Sequence, residues 1–251
     1  MECKAYIKRL EIVDSTNRYV RDEAGDLWGK QESGGYVVVT AEHQTAGRGQ
    51  RGNTWSSNAG ENLLFSVLVR PGEALAVSNQ FLLSQAVALA LHSALEHYGI
   101  DTRLKWPNDI YVGNRKLGGL LLEVDYCGAF VEQAIIGVGV NVNQEIFPKM
   151  DRVPVSMKIL LGCDFSVEEV LATILNSFEY YYGLLSSGDC ESIATEYSKL
   201  LLGLNELRTF VDSGGRFNAV LEGVEPSGHL LVRRSDGRLA RYAFKEIEQL
   251  L

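Results

Sequence analysis

A chain of 251 residues, 46% of them apolar and 22% charged, is long enough to bury a sizeable core and to form one medium domain followed by a small one. Its formal net charge of −8 argues against general binding of nucleic acid, because phosphate contacts need a surplus of Lys and Arg. No apolar run approaches the length of a membrane span, and the start, Met1-Glu2-Cys3-Lys4-Ala5-Tyr6, lacks the features of a signal peptide, so a cytoplasmic location is expected.

In chain order, the first cluster of interest is Asp14-Ser15-Thr16-Asn17, where Ser15 suits the N-cap of a helix over Thr16–Ala24 and the polar triplet also suits a ligand. Residues 45–55 then place Gly47, Arg48, Gly49, Gln50, Arg51, Gly52 and Trp55 between two expected strands, Tyr36–Thr40 and Asn62–Arg70. The three glycines let backbone N–H groups turn toward a ligand with no Cβ in the way, and the two arginines supply fixed charge and forked donors, so the loop is expected to hold an anion. The alternative is a surface hairpin with solvated arginines. The glycine spacing is that of a dinucleotide fingerprint, but that motif opens a helix directly after a strand. Here Asn53-Thr54-Trp55-Ser56-Ser57-Asn58-Ala59-Gly60 has turn chemistry and leads into another strand. No Gly-Lys-Ser or Gly-Lys-Thr follows, which excludes a P-loop.

A helix is predicted over Asn79–Tyr98, with Ser78 as N-cap, one broad apolar face and Gly99 as terminator. Lys105-Trp106-Pro107-Asn108-Asp109 follows at the end of a predicted strand Thr102–Trp106 and before another, Asp109–Val112. Pro107 makes this a rigid corner, and a lysine fixed there can face a carboxylate or a transferring phosphoryl group. Its plain alternative is a strand-end lysine paired with Asp109. Lys116-Leu117-Gly118-Gly119 heads a buried strand, where paired glycines suit close approach by a ligand or by another backbone. Ile135–Val140 is a further buried strand, with Gly137 and Gly139, and ends in Asn141 and Asn143, which suit a base edge, a sugar or a plain turn.

Two more helices are predicted, one from the capping box at Ser166 to about Leu185 and one from after Asp189 to near Gly203. From Glu206 the pattern becomes short alternating strands, Leu207–Asp212, Phe217–Val224, Leu230–Arg234 and Ala240–Phe244, separated by glycine turns, which reads as a small antiparallel barrel. Arg233, Arg234, Arg238 and Arg241 there form either a functional basic face or a solvated one. The four cysteines, Cys3, Cys127, Cys163 and Cys190, are widely separated and suit reduced thiols; the four histidines lack metal-ligand spacing.

Five signatures occur together and in order: Asp14-Ser15-Thr16-Asn17, the glycine-arginine loop introduced by Gln44, Lys105-Trp106-Pro107-Asn108-Asp109, Lys116-Leu117-Gly118-Gly119, and Gly137-Val138-Gly139-Val140-Asn141. In these the chain resembles the biotin protein ligases. The resemblance implies an α+β fold, a mixed sheet backed by helices as in class II aminoacyl-tRNA synthetases, over residues 1–203, followed by a small SH3-like β-barrel over 204–251. It implies an ATP-dependent ligase that makes biotinyl-5′-AMP and transfers biotin to a lysine of a biotin carboxyl carrier domain of acetyl-CoA carboxylase or a related carboxylase. ATP with Mg2+ is the implied co-substrate, with the metal ligands left open between Asp109, Glu123 and others.

By the same resemblance Lys105, Arg48 and Arg51 are the catalytic cations. Ser15, Thr16, Asn17, Gln44, Gly47, Gly118 and Gly119, with Lys105, would line the biotin site. Arg48, Gly49, Gln50, Arg51, Trp55, Asn108 and Asn141 would take the nucleotide. The family most often has arginine where this chain has Gln50, and a basic residue where it has Asn53; Arg51 or Lys116 is expected to cover the lost charge. With Asp14 so near the start, no N-terminal winged helix is expected, hence no DNA partner, while a homodimer is compatible with the family. The alternatives are a lipoate or octanoate ligase, whose arginine-arginine and triple-glycine loop this chain lacks, and a non-catalytic biotin sensor.

Overall fold

The computed structural model describes residues 5–31, 35–149 and 152–251, with the backbone alone at Arg51. Cys3 lies outside the described residues; Cys127, Cys163 and Cys190 are free thiols. The main sheet contains β1 (Ala5–Val13), β2 (Tyr36–Gln44), β3 (Leu63–Val69), β4 (Gly72–Ala76), β5 (Arg103–Lys105), β6 (Asp109–Val112), β7 (Arg115–Cys127) and β8 (Phe130–Val140). Its order is β1-β2-β3-β8-β7-β6-β5, with β4 paired to β8; β1 runs parallel to β2 and every other pairing is antiparallel, so the sheet is mixed.

Period-two alternation sorts the central strands between two faces. Tyr36, Val38, Phe65 and Val67 join the large core, whereas Val37, Val39 and Leu68 join a small cluster with Val20 and Leu27. The small cluster sits under α1 (Thr16–Asp22) and α2 (Ala24–Trp28), and the large one under α3 (Phe81–His97), α5 (Val167–Ser187) and α6 (Cys190–Lys199). Helix α3 is buried at 14 of its 17 residues, not on one broad face, because α5 and α6 cover the side turned away from the sheet. Ser78 does not cap it: a 3-10 turn over Val77–Asn79 comes first, and Gln80 takes the N-cap position without a side-chain bond. The other two caps are formed, since Ser166 accepts from the Glu169 N–H and Asp189 from the Ser192 N–H. A short helix, α4 (Met157–Leu161), follows the cap Ser156.

The C-terminal segment is a five-stranded antiparallel sheet, β12-β11-β10-β9-β13, made of β9 (Leu207–Asp212), β10 (Gly215–Val224), β11 (Leu230–Arg234), β12 (Leu239–Tyr242) and β13 (Ile247–Gln249). Several contacts fix it to the main body. The Trp106 Nε1–H donates to the Gly228 carbonyl at 3.0 Å, Phe244 packs between Phe81 and Trp106, and Gln249 Nε2 donates to the Leu202 carbonyl at 3.0 Å. The basic face seen in the sequence is neutralised locally, Arg233 by Glu222, Arg234 by Asp212, Arg238 by Asp236 and Arg241 by Glu225. Among the described residues no helix is long and apolar enough to cross a membrane.

Candidate active site

A cleft of about 1100 Å³ opens between α1, the 45–55 loop, the β5–β6 corner, strands β7 and β8, and β13. At one end lies a polar floor built by the start of α1. Ser15 occupies the N-cap position, yet its side chain accepts no capping bond. Gln44 takes that role from the end of β2: its Oε1 accepts from the Thr16 N–H at 2.7 Å and lies 3.1 Å from Thr16 Oγ1. Asn17 Nδ2 donates to the Leu121 carbonyl at 3.3 Å, and its Oδ1 lies 2.6 Å from the hydroxyl of Ser66, which is also 2.7 Å from Thr16 Oγ1. Ser15, Thr16, Asn17 and Gln44 therefore come together, as the sequence predicts.

Lys105 lines the cleft and is only 5% exposed. Strand pairing sets it opposite Asp109, but the Asp109 carboxylate is claimed by Lys116 at 2.6 Å and Arg152 at 2.7 Å. Among the described residues the Lys105 ammonium has no hydrogen bond or ion pair; its nearest aromatic face is Tyr111, with the nitrogen 5.9 Å from the ring centre. Burial, and then the neighbouring Arg152 charge, lower its pKa to about 8. The strand-end pair with Asp109 is thus not what holds this lysine. The Tyr111 hydroxyl beside it is buried and has no hydrogen-bond partner among the described residues, and the Trp106–Pro107 peptide is cis.

The glycine-arginine loop is a tight hairpin, closed by the Gly49 N–H to the Asn53 carbonyl at 2.7 Å and the Trp55 N–H to the Gly47 carbonyl at 3.0 Å. A Cβ at Gly47 would fall 2.5 Å from the Trp55 carbonyl oxygen, so only glycine fits. Arg48 lies half-exposed at the rim and donates to Glu123 at 2.8 Å, on the carboxylate that Arg21 also holds at 3.0 Å. The Trp55 ring rests on β8 at Gly139, where a Cβ would fall 2.6 Å from it, and Lys116 Nζ stands 5.7 Å from the ring centre. Gly137 makes the matching space for the Asn17 carboxamide.

Other expected site residues are placed differently. Gly47 and Gly118 stand outside the cleft lining, and Gly118 makes room for the Gly139 carbonyl of the next strand. Gly119 lines the cleft and faces Asp109 and Lys116. The Asn108 amide is tied to the Leu120 carbonyl across the β6–β7 pair, and Asn141 Nδ2 donates to the Val155 carbonyl at 3.0 Å, although both line the cleft. Gln50 also lines it, and Lys116, one of the two residues expected to cover the missing arginine, is paired with Asp109; the side chain of the other, Arg51, lies outside the described atoms. Sequence reasoning missed Ser66, Arg152 and Glu248. The one signal for Ser66 is a lone hydroxyl in the apolar run Leu63–Val69.

Residues 10–141 match the biotin/lipoate A/B protein ligase family. A biotin--[acetyl-CoA-carboxylase] ligase of Paracoccus denitrificans is 32% identical over 91% of this chain and 95% of that protein. The bifunctional ligase/repressor BirA of Escherichia coli is 39% identical over 53% of this chain, which spans 39% of that protein; the chain spans 62% of the Bacillus subtilis BirA at 31% identity. Among solved structures, the biotin protein ligase of Aquifex aeolicus in complex with biotin and ATP matches 100% of this chain and 99% of its own with a TM-score of 0.80 at 25% identity. The Leishmania major biotin protein ligase in complex with biotinyl-5-AMP matches 94% of this chain and 98% of its own, with a TM-score of 0.64 at 27% identity. With the family match spanning more than half of its length, the chain belongs to the biotin/lipoate A/B protein ligase family.

Proposed function

We propose that this protein is an ATP-dependent ligase that activates biotin as biotinyl-5′-AMP and transfers it to a lysine of a biotin carboxyl carrier domain. The observation that carries this reading is the buried Lys105 ammonium, without a hydrogen bond or ion pair among the described residues, in one cleft with the polar floor of Ser15, Thr16, Asn17 and Gln44 and with the glycine-arginine loop. In the first step an oxygen of the biotin carboxylate attacks the α-phosphorus of ATP and the bond to the pyrophosphate oxygen breaks. Two anions must meet, and a cation held dry between them lowers the barrier most because water does not screen it. Lys105 is that cation, with Arg48 and Arg51 on the phosphate side. In the second step the acceptor amine attacks the acyl carbon, AMP leaves with the bonding pair, and the amine gives up a proton; no protein nucleophile is required.

Magnesium, when bound, neutralises phosphate charge. Among the described residues no group of three or more His, Cys, Asp or Glu side chains could hold a metal, and the cleft carboxylates Asp109 and Glu248 each pair with Arg152, so the ion fits as a companion of the phosphates. Residues 1–203 form the catalytic domain in this reading, and residues 204–251 an SH3-like domain whose β13 borders the cleft. The proposal includes a carboxylase acceptor, a cytoplasmic location, no DNA partner, in keeping with the negative net charge, and pairing of two copies at the open sheet edge of β1. The test is mass spectrometry of a recombinant biotin carboxyl carrier domain incubated with the protein, biotin and MgATP. One biotinyl group on the acceptor lysine is expected; an unmodified carrier, with the protein folded and biotin bound, would overturn the transfer step.

A further inference from the structure

We propose that Tyr111 is a further catalytic residue of the transfer step, its hydroxyl donating a hydrogen bond to the acyl oxygen of biotinyl-5′-AMP as the acceptor amine attacks. This rests on the biotin reading of the cleft. Side chains alternate along the β5–β6 hairpin. Leu104 and Ile110 turn to the large core, whereas Lys105, Asp109 and Tyr111 turn together to the cleft, with Lys105 opposite Asp109 and diagonal to Tyr111.

Tyr111 is 1% exposed, yet it belongs to neither apolar cluster; its neighbours include Lys105, Asp109, Arg152 and Glu248. Its hydroxyl has no hydrogen-bond partner among the described residues. The carboxylates nearby are taken, Asp109 by Lys116 and Arg152, and Glu248 by Arg152. Lys105 is in the same condition, buried and without a hydrogen bond or ion pair among the described residues, its nitrogen 5.9 Å from the Tyr111 ring centre. Two orphaned donors on one face of one hairpin destabilise the fold until a ligand supplies their acceptors. Burial, and then the Asp109 charge, push the phenol up to about 12, so at neutral pH the hydroxyl keeps its proton and donates.

The two donors suit different oxygens of one acyl group. The first step leaves one carboxylate oxygen bonded to phosphorus and the other as the acyl oxygen. The Lys105 cation suits the phosphate side. A neutral hydroxyl suits the acyl oxygen, which is uncharged in biotinyl-5′-AMP and becomes an oxyanion in the transition state. The neutral amine of the acceptor lysine attacks the acyl carbon, and the π pair of the carbonyl moves onto that oxygen. When the carbonyl reforms, the bond to the phosphate oxygen breaks, its pair leaves on AMP, and the amine proton passes to water. Tyr111 keeps its own proton throughout. Because the hydrogen bond strengthens as the charge develops, its loss slows transfer more than it weakens binding of the adenylate.

The experiment is single-turnover transfer from synthetic biotinyl-5′-AMP to a recombinant biotin carboxyl carrier domain, read by mass spectrometry, for the unsubstituted full chain and Tyr111→Phe. Adenylate affinity by calorimetry, ATP–pyrophosphate exchange and Tm are measured on the same samples. Tyr111→Phe removes only the hydroxyl. Transfer is expected to slow on the order of 100-fold, while adenylate affinity and exchange change by less than about threefold. Tm is expected not to fall, since no hydrogen bond within the described protein is lost, whereas a structural hydroxyl would lower it. An unchanged transfer rate, or slower transfer matched by an equal loss of adenylate affinity or of exchange, would overturn the role of Tyr111 while leaving the biotin reading intact. Failure of the unsubstituted protein to transfer biotin would overturn that reading itself, and is distinguished because it needs no variant.

Discussion

Lys105 is held in a state that costs the folded protein stability. The unfolded chain keeps this proton to about pH 10.5, whereas the folded pocket releases it at about pH 8, chiefly through burial and next through Arg152. Between those values the unfolded chain binds more protons, so stability rises with pH across that window, and below pH 8 the full cost of the buried ammonium is present, about 3 kcal/mol. A ligand carboxylate would offset that cost by pairing with the ammonium, which ties affinity to the charge of Lys105. Biotin affinity measured calorimetrically should therefore be constant below pH 8 and fall about tenfold by pH 9. A flat profile through this range would mean that the carboxylate does not meet Lys105. Lys105 was legible in the sequence because Trp106 and Pro107 mark a rigid corner. The partners that claim Asp109 were not, since Arg152 lies far along the chain and carries no local pattern.

At the scale of elements, the glycines of β8 have two separate purposes. Gly137 admits Asn17 from α1 and Gly139 admits the Trp55 ring from the glycine-arginine loop. A methyl group at either position overpacks a strand fixed on both sides, which costs about 1–3 kcal/mol. The two substitutions should nevertheless separate in binding. Gly137→Ala is expected to weaken biotin more than a non-hydrolysable ATP analogue, and Gly139→Ala the reverse. Parallel loss of both ligands in both variants would contradict this division of the cleft. Both glycines stood out in the sequence as breaks in a buried strand, but their purpose did not, because the atoms that fill the space come from segments more than 80 residues earlier. Strand ends were read best where a turn residue punctuates an alternating run, as at β6, β9 and β11. Strands β1 and β4, on or near sheet edges, and the three-residue β13 were not foreseen.

For the whole molecule, the corner that presents Lys105 to the cleft also presents Trp106 to the C-terminal sheet. One short segment thus sets both the central cation and the attachment of the second sheet. Trp106→Phe keeps most of the aromatic packing against Phe244 but leaves the buried Gly228 carbonyl without its donor, at a cost of about 1–3 kcal/mol. Thermal unfolding should show a fall in Tm of several degrees for this variant, while Arg233→Ala, which removes an exposed pair with Glu222, should shift it little. Equal effects would show that the docking of the C-terminal sheet does not depend on the indole bond. The passage from helices to a second sheet was visible as a change from helical to alternating pattern at Glu206. The docking contacts were not, because nothing in the sequence around Trp106, Phe81 or Phe244 marks which of them meet across the fold.

The most direct measurement is ATP–pyrophosphate exchange with purified protein and magnesium, offering biotin, lipoate and octanoate separately, with Lys105→Ala alongside. Exchange with biotin alone, abolished in Lys105→Ala, is the predicted result and fixes both the adenylating step and its substrate. Exchange driven by lipoate or octanoate, or none with any acid despite tight biotin binding, would contradict biotin activation as the function of this cleft.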